Sequence, residues 1–242
     1  MGKVRGGKNI YGYPIGIIML ETRFPRIPGD VGNATTWDFP VLYKIVKKAT
    51  PDQAVRKGAE GLLEPFIQAA RELEKEGVEA ITTNCGFLAL FQKEMASAVN
   101  IPVFTSSLMQ VPLAYSMINP SKKVGIITIH SKSLTARHLA CVGADHIPHI
   151  ILGTENEEEF SRTILDDELE LDVDKAKDDL IKVARRMVKE HPDVGVIVLE
   201  CTNMPPYAAA IKRAVGLAVF DFYTLTIWVY HAIVKKEFKG FM

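Results

Sequence analysis

Apolar runs of four to six residues alternate along this chain with longer stretches in which apolar positions recur every three or four residues. That alternation is the pattern of βαβ units around a parallel sheet: strands covered on both faces read as continuous apolar runs, and the crossover helices between them read as amphipathic. The first strand is expected over Pro14 to Leu20. Gly58 to Glu76 is expected to be helical, because Leu62, Leu63, Phe66, Ile67, Ala70 and Leu73 share one face and Gly77 closes it. A strand over Val78 to Thr83, a helix from about Gly86 to Val99 and a strand over Ile101 to Phe104 follow, and Asn119-Pro120 stops a helix over Val111 to Ile118. A second series then opens with a strand at Val124 to Ile129 and a helix at Leu134 to Val142. It continues through a strand at His149 to Leu152, a long charged helix at Val173 to Glu190 and a strand at Val194 to Leu199. A helix over Pro205 to Val215 can start at its proline without penalty, and a strand at Leu217 to Phe220 leads into a terminal helix.

The two series match each other. Val78-Glu79-Ala80-Ile81-Thr82-Thr83-Asn84-Cys85 aligns with Val194-Gly195-Val196-Ile197-Val198-Leu199-Glu200-Cys201. At the same offset Ile101-Pro102-Val103-Phe104 lies over Leu217-Ala218-Val219-Phe220. With a two-residue slip Ala70-Arg71-Glu72-Leu73 lies over Ala184-Arg185-Arg186-Met187, and Gly16-Ile17-Ile18 pairs with Gly125-Ile126-Ile127. The expected fold is therefore α/β, with two similar Rossmann-like or flavodoxin-like lobes. Their parallel sheets would be related by a pseudo-two-fold, with an active-site cleft between them. Residues 1–115 with 216–242 would form the lobe that carries Cys85, and residues 116–215 the lobe that carries Cys201.

Composition narrows the function classes. The 242 residues hold 29 Lys plus Arg against 29 Asp plus Glu, so the net charge is zero and no basic stripe argues for nucleic acid. Three cysteines are an odd number for a disulfide framework and fit a reducing, cytoplasmic setting. The apolar stretch Ile15 to Leu20 is too short for a signal core. Ala214 to Val234 is interrupted by Asp221 and reads as strand, connector and helix rather than as a membrane span. His146 and His149 are separated by a proline and have no Cys pair nearby, so no metal site is expected there.

The candidate chemistry sits at the two matched strand ends. A thiol placed directly before a helix meets unpaired backbone N–H groups and the positive end of the helix dipole, which favour the thiolate. The same N–H groups can seat a substrate carboxylate. With Asn84 and Gly86 flanking Cys85, and Thr202 and Asn203 following Cys201, a carboxylate held on these donors would place its α-carbon between two sulfurs. One thiolate could then remove a proton from one face while the other thiol protonates the opposite face. Cys141, within Leu139-Ala140-Cys141-Val142, has no such context and reads as core packing. The loop Thr22 to Phe39 is a candidate substrate cover, since ligands of open α/β sheets lie outside the carboxyl ends of the strands. Thr22 and Arg23, with Arg26 beyond, are candidate substrate contacts on it, Glu21 stands beside them, and Thr128 with His130 and Ser131 is the matching point in the second half.

At Thr83-Asn84-Cys85 and Cys201-Thr202-Asn203-Met204-Pro205 the chain resembles the cofactor-independent aspartate/glutamate and hydantoin racemase superfamily. The resemblance covers nearly the whole chain. It implies two α/β lobes, Cys85 and Cys201 as paired acid/bases, no cofactor and no metal, and a homodimer. The implied activity is a racemase or epimerase, an isomerase acting beside a carboxylate, most simply of aspartate or glutamate. A hydantoin racemase and a maleate-type cis-trans isomerase are the enzymatic alternatives, and a small-acid sensor is the non-enzymatic one. Two positions depart from the superfamily's pattern: Glu200 stands where small residues are common, and Asn203 where His or Glu is usual.

Overall fold

The computed structural model describes residues 3–242. Its elements run β1 (Ile15–Leu20), β2 (Val41–Val46), α1 (Pro51–Val55), α2 (Leu63–Glu76), β3 (Ala80–Thr83), α3 (Gln92–Ala98), β4 (Val103–Phe104) and α4 (Val111–Ser116). The second half follows with β5 (Lys123–Thr128), α5 (Ala136–Cys141), β6 (His149–Gly153), α6 (Phe160–Leu165), α7 (Val173–Glu190), β7 (Val194–Leu199), α8 (Ala208–Val215), β8 (Ala218–Phe220) and α9 (Phe222–Ile233). Two four-stranded parallel sheets result, ordered β2-β1-β3-β4 and β6-β5-β7-β8. The strand orders are the same, as the internal repeat requires, and the fold is α/β with two related lobes.

Local sequence explains most of these elements. All six residues of β1 are buried, yet they serve two different cores: Ile15 and Ile17 enter one hydrophobic cluster while Ile18 and Leu20 enter the other. That division follows from the two-residue period of a strand covered on both faces. Asp172 caps α7 by accepting from the Lys175 amide at 3.1 Å, Gly77 closes α2 in the left-handed region at φ 93°, and Asp221 opens α9 with a reciprocal capping box to Thr224. The strand β2 is an addition to the expected set. It forms the edge of its sheet and is mostly half-exposed, so it lacks the fully apolar run that marks the inner strands.

Two segments lie across the expected lobe boundary. β8 stays in the second sheet, where Val196, Ile197 and Val198 of β7 pair with Ala218, Val219 and Phe220. The chain returns to the first lobe only with α9, whose Phe222 and Leu225 pack with Ile15, Ile17 and Phe104. In the reciprocal sense α4 follows a strand of the first sheet and packs on β5 and β7 of the second. Each lobe thus lends its last helix to the other, and the larger core cluster runs unbroken from Ile18 and Phe66 to Val198 and Met204. The apolar stretch near the C-terminus resolves into β8 and α9, and no helix among the described residues is long and apolar enough to cross a membrane.

Candidate active site

Strands β3 and β7 deliver their cysteines to one place. Cys85 and Cys201 are both buried, both are free thiols, and both line one pocket between the lobes. The lobes are tied together directly beneath it. Thr202 Oγ1 donates to the Asn84 carbonyl at 2.5 Å, and Ser107 Oγ donates to the Leu199 and Glu200 carbonyls at 2.7 and 3.1 Å.

The chain after Cys85 enters a buried 3-10 turn (Gly86–Phe91) before α3, in place of one continuous helix. The amides of Phe87 and Leu88 point at the Cys85 sulfur, and the amide of Asn203 points at that of Cys201, so the expected N–H cradles are present. Their effect on the thiols is outweighed. Burial first, and the negative charge of Glu200 second, push Cys85 up to about 12. The same two causes push Cys201 well above its ordinary value. The resting site therefore holds two thiols, which corrects the expectation that the strand-end position alone would favour thiolates.

Asn84 turns its Oδ1 to the Leu20 amide at 2.7 Å and leaves Nδ2 buried without a partner, a free donor at the pocket wall. Gly86 and Thr202 also line the pocket, although the Thr202 hydroxyl proton is committed to the Asn84 carbonyl. Asn203 is tied on both sides of its amide, with one Nδ2 hydrogen engaged. Its Oδ1 accepts from the Cys201 thiol at 3.3 Å, and its Nδ2 donates to Asp30 Oδ2 at 2.6 Å. Asp30 in turn accepts from Arg26 at 2.7 Å, and Arg26 also donates to Thr22 Oγ1 at 3.0 Å while standing 4.5 Å over the Phe24 ring.

The loop from Thr22 does cover the pocket, through Thr22, Phe24 and Arg26, and it rests on the second lobe at Thr202 and Asn203. Arg23 is not part of the site. Its side chain is 69% exposed and pairs with Asp167 at 3.2 Å, because the loop turns Phe24 inward and its neighbour outward. Thr128 is buried but lies behind the pocket, donating to Glu200 Oε2 at 2.7 Å, so it holds a wall residue rather than a substrate. Glu21 is outside too, paired with Lys47 at 2.8 Å; Ser131 is bonded to Glu155, and His130 does not reach the pocket.

Arg26 lines the pocket as expected of a loop contact, whereas Glu200 on the wall, and Asp30 behind it on Arg26 and Asn203, were not among the expected contacts. Glu200 had a legible signal, a charged residue closing the wholly apolar run Val194 to Leu199. It is completely buried, and burial pushes its carboxyl up to about 8 against the opposing Thr128 hydroxyl and Ile129 amide. Among the described residues no three His, Cys, Asp or Glu side chains converge on a common metal position.

A family model described as Asp/Glu/Hydantoin racemase matches residues 56–229. The chain belongs to that family. Fold and chemistry part company among the proteins this chain is similar to. The aspartate racemase of Picrophilus torridus superposes with a TM-score of 0.58 over 93% of this chain and 96% of its own, at 13% identity, a likeness of fold alone. The dimethylsulfoniopropionate lyase of Durusdinium sp. clade D is 32% identical over 97% of this chain and 77% of its own length. Dimethylsulfoniopropionate lyase 6 of Emiliania huxleyi (strain CCMP1516) is 31% identical over 86% of this chain, which spans only 56% of that relative.

These relatives overturn the expected reaction. Racemase or epimerase activity, and the isomerase class with it, give way because the curated proteins that match most of this chain are lyases. The hydantoin racemase, maleate-type isomerase and small-acid sensor alternatives fail on the same finding. The physical reason is that a strand-end thiol and a carboxylate seat specify removal of an α-proton, not what becomes of the carbanion.

Proposed function

We propose that this chain is a lyase that cleaves dimethylsulfoniopropionate or a close analogue by β-elimination. The named substrate of its relatives is a three-carbon carboxylate with a dimethylsulfonium group on the β-carbon. Removal of its α-proton by a cysteine thiolate builds enolate-like charge beside the carboxylate. The Cβ–S bond then breaks with its electron pair leaving on sulfur, which gives dimethyl sulfide and acrylate. The first half of this reaction is the one a racemase performs; the second needs only a leaving group two bonds away.

The observation that carries the reading is the pocket itself: two thiols on facing lobes at one site, within a chain that matches lyases over nearly its whole length. Arg26 and the unpartnered Asn84 Nδ2 are the donors available for the carboxylate. The apolar wall of Phe24, Val55, Ile164 and Leu165 suits the methyl groups of a soft cation and keeps water from the carbanion.

The test incubates the purified chain with dimethylsulfoniopropionate and measures headspace dimethyl sulfide by gas chromatography and acrylate by proton NMR. Both products are expected at equal rates. Cys→Ser at the thiol acting as base lowers kcat by about 10²–10⁴-fold, the usual share of a general base, and comparison of Cys85→Ser with Cys201→Ser identifies it. Exchange of the α-proton of aspartate or glutamate in D₂O, with no sulfide released from dimethylsulfoniopropionate, would refute the reading.

A further inference from the structure

Elimination from a zwitterion leaves a proton behind. The α-proton ends on a cysteine sulfur, acrylate and dimethyl sulfide depart, and the site then carries one proton more than when it was ready to react. A racemase returns a proton to its substrate; a lyase must pass one to solvent at every turnover. Both thiols are buried, and the resting site holds them protonated, so a second group has to accept protons from them.

Glu200 has the position for this. It closes β7 directly before Cys201, is completely buried, and lines the same pocket as both sulfurs. Its side chain reaches across the lobe boundary: a Cβ built on Gly86, the residue after Cys85, would collide with Glu200 Oε1. Oε2 accepts from the Thr128 hydroxyl, whereas Oε1 is buried with no partner at all. An orphaned carboxyl oxygen at that depth is unfavourable unless a proton or a ligand visits it. The negative charge of Glu200 acts on Cys85 and on Cys201 more strongly than any other ionised group. The other ionisable groups nearby are Arg26 and Asp30 on the covering loop, Tyr207 after β7, and His130 beyond Thr128.

We propose that Glu200 is the proton acceptor of this site, sharing one proton with the cysteine thiols and handing the proton released by elimination to water. Resting on the lyase reading, the cycle balances as follows. The S–H bond of the base breaks and its proton goes to the Glu200 carboxylate, leaving thiolate beside carboxylic acid. The thiolate takes the α-proton as the Cβ–S bond breaks. Glu200 then releases its proton to water that enters as the products leave, which restores thiol beside carboxylate. Glu200 acts through the cysteine and is a positioning residue for the proton. A carboxyl that titrates near neutrality is suited to the exchange, and burial raises this one to about 8.

The arrangement leaves a specific signature. Thiolate formed while Glu200 keeps the proton depends on the pair holding a single proton, so reactivity rises with pH and then levels off once the pair has reached that state. Without Glu200 the thiol titrates alone and reactivity keeps climbing. The test compares the intact chain with Glu200→Gln and Glu200→Asp in two readouts: release of dimethyl sulfide, and alkylation of Cys85 and Cys201 by iodoacetamide located by peptide mass. Wild type and Glu200→Asp are expected to level off, wild type above about pH 8, while Glu200→Gln rises about tenfold per pH unit up to roughly pH 10. A purely structural role would shift the melting temperature of Glu200→Gln and leave the plateau in place, which overturns the proposal. Absence of alkylation in wild type over the whole range overturns it as well. A wild-type plateau in alkylation without sulfide release refutes the lyase reading and leaves the role of Glu200 standing.

Discussion

Between pH 6.5 and 8 this protein should lose stability as the pH rises, and one side chain should account for the loss. Glu200 is completely buried and its folded pKa is raised to about 8, against 4.5 for the free carboxyl. A carboxyl whose folded pKa lies above its unfolded value holds a proton that the unfolded chain has already given up. Its contribution is therefore full below the unfolded value and is lost as pH rises through the folded one. The slope within that window is about 1 kcal/mol per pH unit for one proton. From pH 6.5 to 8 this amounts to about 2 kcal/mol, or roughly 5 °C in melting temperature for a chain of this size. Other shifted groups act elsewhere. Burial raises Asp221 to about 6, so its effect ends below the window, and burial lowers His138 to about 4, so its effect lies between there and the ordinary histidine value of 6.5. The raised thiols act only above their ordinary value of 9.0. The assay is thermal unfolding by circular dichroism at closely spaced pH values, wild type beside Glu200→Gln. The glutamine keeps the shape and the bond from Thr128 but cannot titrate, and its melting temperature should be flat across the window. A wild-type curve that is flat or rises from pH 6.5 to 8, or a Gln variant that falls equally steeply, would refute the assignment.

Gly86→Ala should be severe, because its Cβ would meet Glu200 Cδ at 2.8 Å and the Glu200 oxygens more closely still. Overpacking of this kind costs about 1–3 kcal/mol and would part the two thiols, so activity should fall with the melting temperature. Gly195→Ala, whose Cβ meets only the side chains of Lys122 and Ile118 at 3.0 and 3.1 Å, is the comparison that should stay near wild type. Thr202→Val removes the inter-lobe hydrogen bond and leaves the Asn84 carbonyl buried without it, at about 1–3 kcal/mol in denaturant unfolding. Asp30→Ala strands both Arg26 and the Asn203 amide, so it should destabilise by about 3 kcal/mol and raise KM, whereas Arg23→Ala removes only an exposed pair and should leave kcat/KM unchanged.

The two-lobed architecture is legible in the order of residues alone. The internal repeat was readable because β1, β3, β5 and β7 are inner strands covered on both faces, so β1 and β7 are apolar throughout and β3 carries only small or apolar residues and threonines. The same runs located Cys85 and Cys201, since each ends at a thiol, and the pocket duly contains both. The resemblance at the two Cys triplets led to the right family and the wrong reaction. Those triplets encode the proton-removing half of the chemistry, which racemases and lyases share.

The contacts between the lobes carry the rest. That β8 stays with β7 while α9 crosses back is a matter of which sheet edge and which apolar face are vacant, and neither is written in the local pattern. Arg23 and Arg26 look alike in the sequence, yet one salt bridge to Asp167 and one to Asp30 send them to opposite sides of the loop. Thr128 and Glu200 read as separate strand ends until the hydrogen bond between them joins them behind the thiols. The pKa of a thiol divides in the same way between local and distant causes. The amides that favour its thiolate are local and visible in the strand-to-helix turn. The burial and the opposing charge that outweigh them come from the other lobe, more than a hundred residues away along the chain. Helix and strand periodicity is set by neighbours in sequence, whereas desolvation and charge are set by whatever the fold brings close in space.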